Sequence, residues 1–167
     1  MRRAALLVLT ALTVASCGGE SADREGFARR QDDVDRAAQV ISLVVAEAVA
    51  GTPPTGEILA TGSVTGCKGS PGGVFYHLDT VVTHRPIDAD QAADRIVDAL
   101  RAEGIDARPD DADVIRIDLD GIEADVGDTG QGDPPTGQSI FVGTPCIDVG
   151  ETLAAELTAQ PGRPVRR

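Results

Sequence analysis

Val34, Ala37, Ala38, Ile41, Val44, Val45 and Ala48 follow one another at three- and four-residue steps. That spacing lines one face of an α-helix with apolar side chains. The helix is expected to open near Asp32 or Asp33 and to stop at Gly51 and the pair Pro53-Pro54, because proline brings no amide hydrogen to continue the ladder. Thr, Val and Gly then dominate, and the pattern predicts a strand from Ile58 to Thr65 ahead of Cys67. Gly69-Ser70-Pro71-Gly72-Gly73 reads as a turn, followed by a second strand from Val74 to Thr83.

The next helix is the best specified by its ends. Asp88 stands at an N-cap with Gln91 three residues on, and Ile87 precedes it as an apolar staple. Ile96, Val97 and Leu100 form the buried stripe, and Gly104 followed by Ile105 suits a helix-ending motif. Two strands, Val114 to Leu119 and Ile122 to Val126, meet across Asp120-Gly121, a dipeptide favoured in tight hairpins. On the second, Ile122, Ala124 and Val126 alternate with Glu123 and Asp125, so one face is buried and the other wet. A Gly/Pro-rich loop over 127–137 leads to a short strand from Ser139 to Val142. Asp148 with Glu151 opens a modest last helix carrying Leu153 and Leu157.

The expected order is α-β-β-α-β-β-β-(α), an α+β domain with a mostly antiparallel sheet and its amphipathic helices on one face.

The first sixteen residues obey a different logic. Arg2 and Arg3 precede a small and apolar run from Ala4 to Val14, too short to span a bilayer, with small residues at its exit. This is the build of a secretory signal. Val14-Ala15-Ser16-Cys17 resembles the lipobox of bacterial lipoproteins, which implies cleavage before Cys17, a diacylglyceryl thioether on its sulfur and a further fatty-acyl chain, such as palmitate, on its new amine. Two or three acyl chains hold a protein on a membrane where one does not. An ordinary cleavable signal with Cys17 free or disulfide-bonded is the alternative. The expected organisation is a removed signal over 1–16, a lipidated tether over 17–30, a single domain over 31–160 and a loose tail over 161–167.

Composition changes its meaning once the signal is set aside. Leu, Ile, Val and Phe make up 41 of 167 residues, and six of them lie before residue 17. The remainder is close to the level at which chains fail to fold. Of the three cysteines, Cys67 and Cys146 remain for the domain, and in an exported, oxidising setting they are expected to pair. A metal or catalytic thiol is the alternative, but neither cysteine has a CxxC or histidine neighbour at ligand spacing. The formal charge of −12 excludes a chain built to coat nucleic acid or an anionic membrane through basic residues. With no Trp, one Tyr and three Phe, a stacking platform for single strands is also not expected.

The lipobox cysteine Cys17, a helix ahead of a strand bearing Cys67, a central helix over 88–103 and the late Cys146 together resemble the small lipoproteins of high-GC actinobacteria, including the LppA-like group. The near absence of lysine and the excess of Ala, Gly and Asp agree with such a genome. The resemblance implies an extracytoplasmic, membrane-attached protein of this fold and no activity; the expected partner is an envelope protein or a small ligand.

Candidate chemistry is sparse. Ten carboxylates lie between Asp106 and Asp133 against Arg108 and Arg116. Asp118-Leu119-Asp120-Gly121 matches part of a calcium loop, yet its first position falls on Arg116 and its twelfth on Gly127, so a solvated face is the expectation. His77 and His84, seven apart, fall on opposite faces of a strand and cannot share a metal alone. His77 and Asp79 share a face and are the one polar pair that an envelope hydrolase or metal-dependent enzyme would use. Gly137-Gln138-Ser139-Ile140-Phe141 misses a nucleophile elbow at its last position. The turn over 69–73 lacks the lysine and helix of a phosphate loop. No cofactor, metal or catalytic residue is therefore expected, and a binding or envelope-accessory module is.

Overall fold

The computed structural model describes residues 22–50, 59–110, 114–130, 132 and 134–166. The expected signal, Cys17, the stop at Gly51 and Pro53-Pro54, and Ile58 lie outside them.

The first helix, α1, runs from Arg24 to Ala50, eight residues longer at its start than the apolar pattern predicted. Phe27 explains the extension. It lies seven residues before Val34, hence on the same helical stripe, and is buried with Val34, Ile41 and Val45. The intervening turn, Arg29 to Asp32, is polar and hides that continuity. Asp23 caps the new start, its carboxylate accepting from the Gly26 amide at 2.8 Å. Residues 24–30 thus belong to the domain and not to the tether.

Strands β1 (Leu59–Gly66) and β2 (Gly73–Thr83) form a hairpin, with Gly66 opposite Val74. Helix α2 (Ala89–Ala102) follows, with the Asp88 carboxylate accepting from the Gln91 amide at 3.1 Å. It closes as the sequence predicts. Gly104 takes φ +79°, its amide donates to the Arg101 carbonyl, and the Ile105 amide reaches back to Leu100. That is the paired-bond ending that glycine permits. Strands β3 (Ala107–Pro109), β4 (Ile115–Leu119), β5 (Ile122–Asp128) and β6 (Gly137–Gly143) come next, then β7 (Ile147–Asp148), α3 (Glu151–Thr158) and β8 (Arg163–Arg166). The β4–β5 hairpin turns on Asp120 and Gly121 at φ 47° and 81°, the mirror-type turn whose twist suits a two-residue connection.

All pairings are antiparallel. The sheet runs β3-β4-β5-β6-β2-β1-β8, with β7 beside the start of β2. β7 carries on along β2 where β6 leaves off. Thr144 pairs with Tyr76, its amide donating to the Tyr76 carbonyl while its hydroxyl accepts from the Tyr76 amide. Pro145 and Cys146 then stand against Phe75 alone, which makes the junction a bulge. The fold is α+β, as expected, and Cys67 is disulfide-bonded to Cys146 across 79 residues of sequence, with Cα atoms 6.2 Å apart.

Three further expectations change. The tail was expected to be loose, but residues 163–166 pair with β1, Gly62 facing Arg163 and Leu59 facing Arg166. Pro164 has no amide hydrogen and is at home on such an edge. The last helix is capped at Gly150; Asp148 instead accepts from the Gly150 amide at 2.9 Å, forming a tight turn ahead of it. Strands β3 and β7 are too short for any alternation to announce them.

The helices gather on one side of the sheet. From β2, Val74, Tyr76, Leu78 and Val82 point into a core shared with Ile41 and Val45 of α1, Ile96 and Leu100 of α2, and Leu157 of α3. Tyr76 lies across Gly62 of β1, where a Cβ would stand 2.3 Å from the phenolic oxygen. That oxygen donates to the buried carboxylate of Asp35 on α1 at 2.9 Å. Gly62 therefore makes room for a buried polar bond that ties α1 to the middle of the sheet.

Candidate functional site

The other side of the sheet has no described helix over it. Period-two alternation sends Phe75, His77, Asp79 and Val81 of β2 to that side. Pairing brings Ser139, Phe141 and Gly143 of β6 beside them, and Glu123 and Asp125 of β5 beyond those. In one cross-strand row Phe141 lies between Asp79 and Asp125. In the next, Gly143 lies between His77 and Glu123.

Three rings stack at the centre of this face. Phe75 and His77 have centroids 5.2 Å apart, and His77 and Phe141 5.4 Å with planes 23° apart. Gly143 leaves room for the stack, since a Cβ there would meet His77 and Phe141 at 3.3 Å. Val81, 55% exposed, extends the apolar strip along β2. The chain has only four Phe and Tyr residues. Phe27 and Tyr76 build the core, so half of the aromatic side chains of a core-poor domain stand on its open face.

His77 and Asp79 do share this face, with Nε2 and Oδ2 3.4 Å apart. The other ring nitrogen, Nδ1, is buried and makes no hydrogen bond. With a phenylalanine ring against each side and its second nitrogen buried, the imidazole is fixed as part of the stack. Its free nitrogen is not presented to a substrate, as general acid–base work requires. His84 lies apart, as the odd spacing predicts. Its Nδ1 is 2.7 Å from the Arg85 carbonyl and its Nε2 3.4 Å from the buried Gln138 side chain.

Charge surrounds the rings unevenly. Asp79, Asp118, Glu123 and Asp125 lie on the open face, with Arg108 and Arg116 toward its β3–β4 end. Arg116 pairs with Asp110 at 3.0 Å and reaches Asp125 at 3.9 Å. The two cross-strand neighbours of Phe141, Asp79 and Asp125, are both acidic. Asp118 and Asp120 sit on an exposed hairpin, and among the described residues no group of three His, Cys, Asp or Glu is placed to hold a metal. Ser139 is exposed, its hydroxyl donating to the Gly127 carbonyl at 3.2 Å. The turn over 69–73 closes a hairpin through Gly73 to Ser70 and Cys67 to Gly73 amide bonds.

Sequence reasoning singled out His77 and Asp79 but missed Phe75 and Phe141. A signal was present: Phe75, His77 and Asp79 fall on alternate positions of a strand whose other alternate residues, Val74, Tyr76 and Leu78, fill the core. Phe141 became a neighbour only through the β2–β6 pairing.

None of the described helices is long and apolar enough to cross a membrane. Comparison with protein families, with curated proteins and with solved structures finds no match for this chain.

Proposed function

We propose that this protein is an extracytoplasmic lipoprotein held on the cell membrane through Cys17, and that it acts as a binding or envelope-accessory module whose partner docks on the helix-free face of the sheet. The observation that carries the reading is the Phe75–His77–Phe141 stack. The wet face of an antiparallel sheet is normally polar, and three rings set there contribute nothing to the core on the opposite side. The bonded Cys67–Cys146 pair suits an oxidising compartment, as the lipobox-like Val14-Ala15-Ser16-Cys17 does.

The partner is a protein segment carrying lysine or arginine. Phe141 lies between two carboxylates, so a cation crossing its ring gains from the ring quadrupole and from Asp79 and Asp125 together. A neutral or acidic segment gains from neither.

A photoreactive residue at Ser139, crosslinked in the native envelope, tests this. The reading expects a crosslinked peptide rich in Lys or Arg, lost at high salt and lost in Phe141→Ser. Capture that is unchanged by Phe141→Ser overturns the docking face. For the anchor, Cys17→Ala is expected to release the protein from membranes, and unchanged retention refutes lipidation.

A further inference from the structure

The first described residues of the chain are tied to one end of the sheet. The Ala22 amide donates to the Asp148 carbonyl of β7 at 2.9 Å. Two residues on, the Arg24 guanidinium pairs with Glu156 of α3. Cys67–Cys146 and the turn over 67–73 lie at the same end, since the Val149 amide donates to the Gly72 carbonyl. From there β2 runs from Gly73 to Thr83, roughly 33 Å away at a strand's rise per residue.

Residues 18–21 are all that separate Cys17 from Ala22. Five residue steps reach at most about 18 Å, half the length of β2 and less than half of α1, which measures about 40 Å over its 27 residues. Lipid on Cys17 therefore keeps the disulfide end of the domain close to the headgroups whatever path those residues take. The acid excess of the domain opposes lying flat on an anionic surface.

We infer that the domain stands on the membrane with its disulfide end inward and the opposite end, at Thr83 and the start of α2, pointing away. The inference rests on the lipid anchor proposed above. In this posture the strands rise from the bilayer and the open sheet face looks sideways along the membrane, toward neighbours in the same layer.

Lys68 offers a direct test. It is the chain's only lysine and lies exposed on the turn next to Cys67. The lipidated protein, labelled with an amine-reactive donor dye, is placed in vesicles of phosphatidylcholine and anionic phosphatidylglycerol carrying an acceptor on their headgroups. The comparison protein is Lys68→Arg with Thr83→Lys, and Lys68→Arg with Gln91→Lys serves as a second label at the same far end.

Energy transfer is expected to be greater from Lys68 than from either far position, by roughly threefold or more given the ~33 Å rise. Inserting about twenty Gly/Ser residues after Cys17 is expected to remove the difference, because such a linker spans about 25 Å on average. Equal transfer from both ends in the protein of native length overturns the upright posture while leaving the anchor intact. Protein that fails to float with the vesicles overturns the anchor, and the posture with it.

Discussion

Strand β2 has two faces that obey different rules. Val74, Tyr76, Leu78, Thr80 and Val82 point to the helices and are at most 7% exposed. Phe75, His77, Asp79 and Val81 alternate with them and point away, Asp79 and Val81 each more than half exposed. The inner residues answer to packing, where every atom has neighbours and a change of one methylene is felt. The outer residues pack only among themselves, yet they are not the threonines and lysines of an ordinary wet face. A residue whose identity packing does not explain is the better guide to binding. Changes on the inner face should therefore cost stability without touching recognition, and changes on the outer face the reverse.

The largest expected effect falls on both faces at once. Replacing both Cys67 and Cys146 by alanine releases a loop of 79 residues' separation, and chain-entropy reasoning puts the loss at about 4 kcal/mol of unfolding free energy. Denaturant unfolding measures it; a loss below about 1 kcal/mol would mean that the thin core does not depend on the crosslink. On the inner face, Leu78→Ala is expected to cost about 3 kcal/mol, the transfer of the side chain plus the cavity it leaves. Partner capture by the fraction that remains folded should not change.

Tyr76 and Gly62 give a finer test of the same face. Tyr76→Phe removes the donor to Asp35 and leaves a buried carboxylate one hydrogen bond poorer, at about 2 kcal/mol. Gly62→Ala drives a Cβ toward the same phenolic oxygen, at about 1–3 kcal/mol of overpacking. Tyr76→Phe removes the tightest of these contacts and leaves the ring carbons at 3.0 and 3.1 Å, so the double variant is expected to lose less than the sum. Additive losses in a double-mutant cycle would show that the close approach is not what makes Gly62 necessary.

Much of the inner architecture was legible because its signals are local. Asp88, Gly104 and Asp120-Gly121 each act over four or five residues, and all three do what their chemistry predicts. Phe27 was misread for a local reason too: one polar turn, Arg29 to Asp32, broke the apparent period and placed the first helix's start eight residues late. What the sequence could not carry is non-local. The edge strand over 163–166 exists through main-chain bonds to β1, and main-chain bonding leaves no mark on side-chain pattern. The outer site is non-local in the same sense. His77 and Asp79 were found because they are two residues apart, whereas Phe141 lies sixty-four residues from His77 in sequence and joins it only through the β2–β6 register.

The smallest expected change in stability is the sharpest test of the outer face. Asp79→Asn keeps the size of the side chain and its place beside His77, while removing the charge beside Phe141. Because Asp79 is exposed and its contact with His77 is long, the melting temperature is expected to move by no more than about 2 °C. Capture of a cationic segment should nevertheless weaken, and its dependence on salt should flatten, since one of the screened charges is gone. A larger loss of stability would make Asp79 a structural residue like those on the inner face. Unchanged capture with an unchanged salt dependence would leave the stacked rings as the whole of the recognition surface and remove the reason for a basic partner.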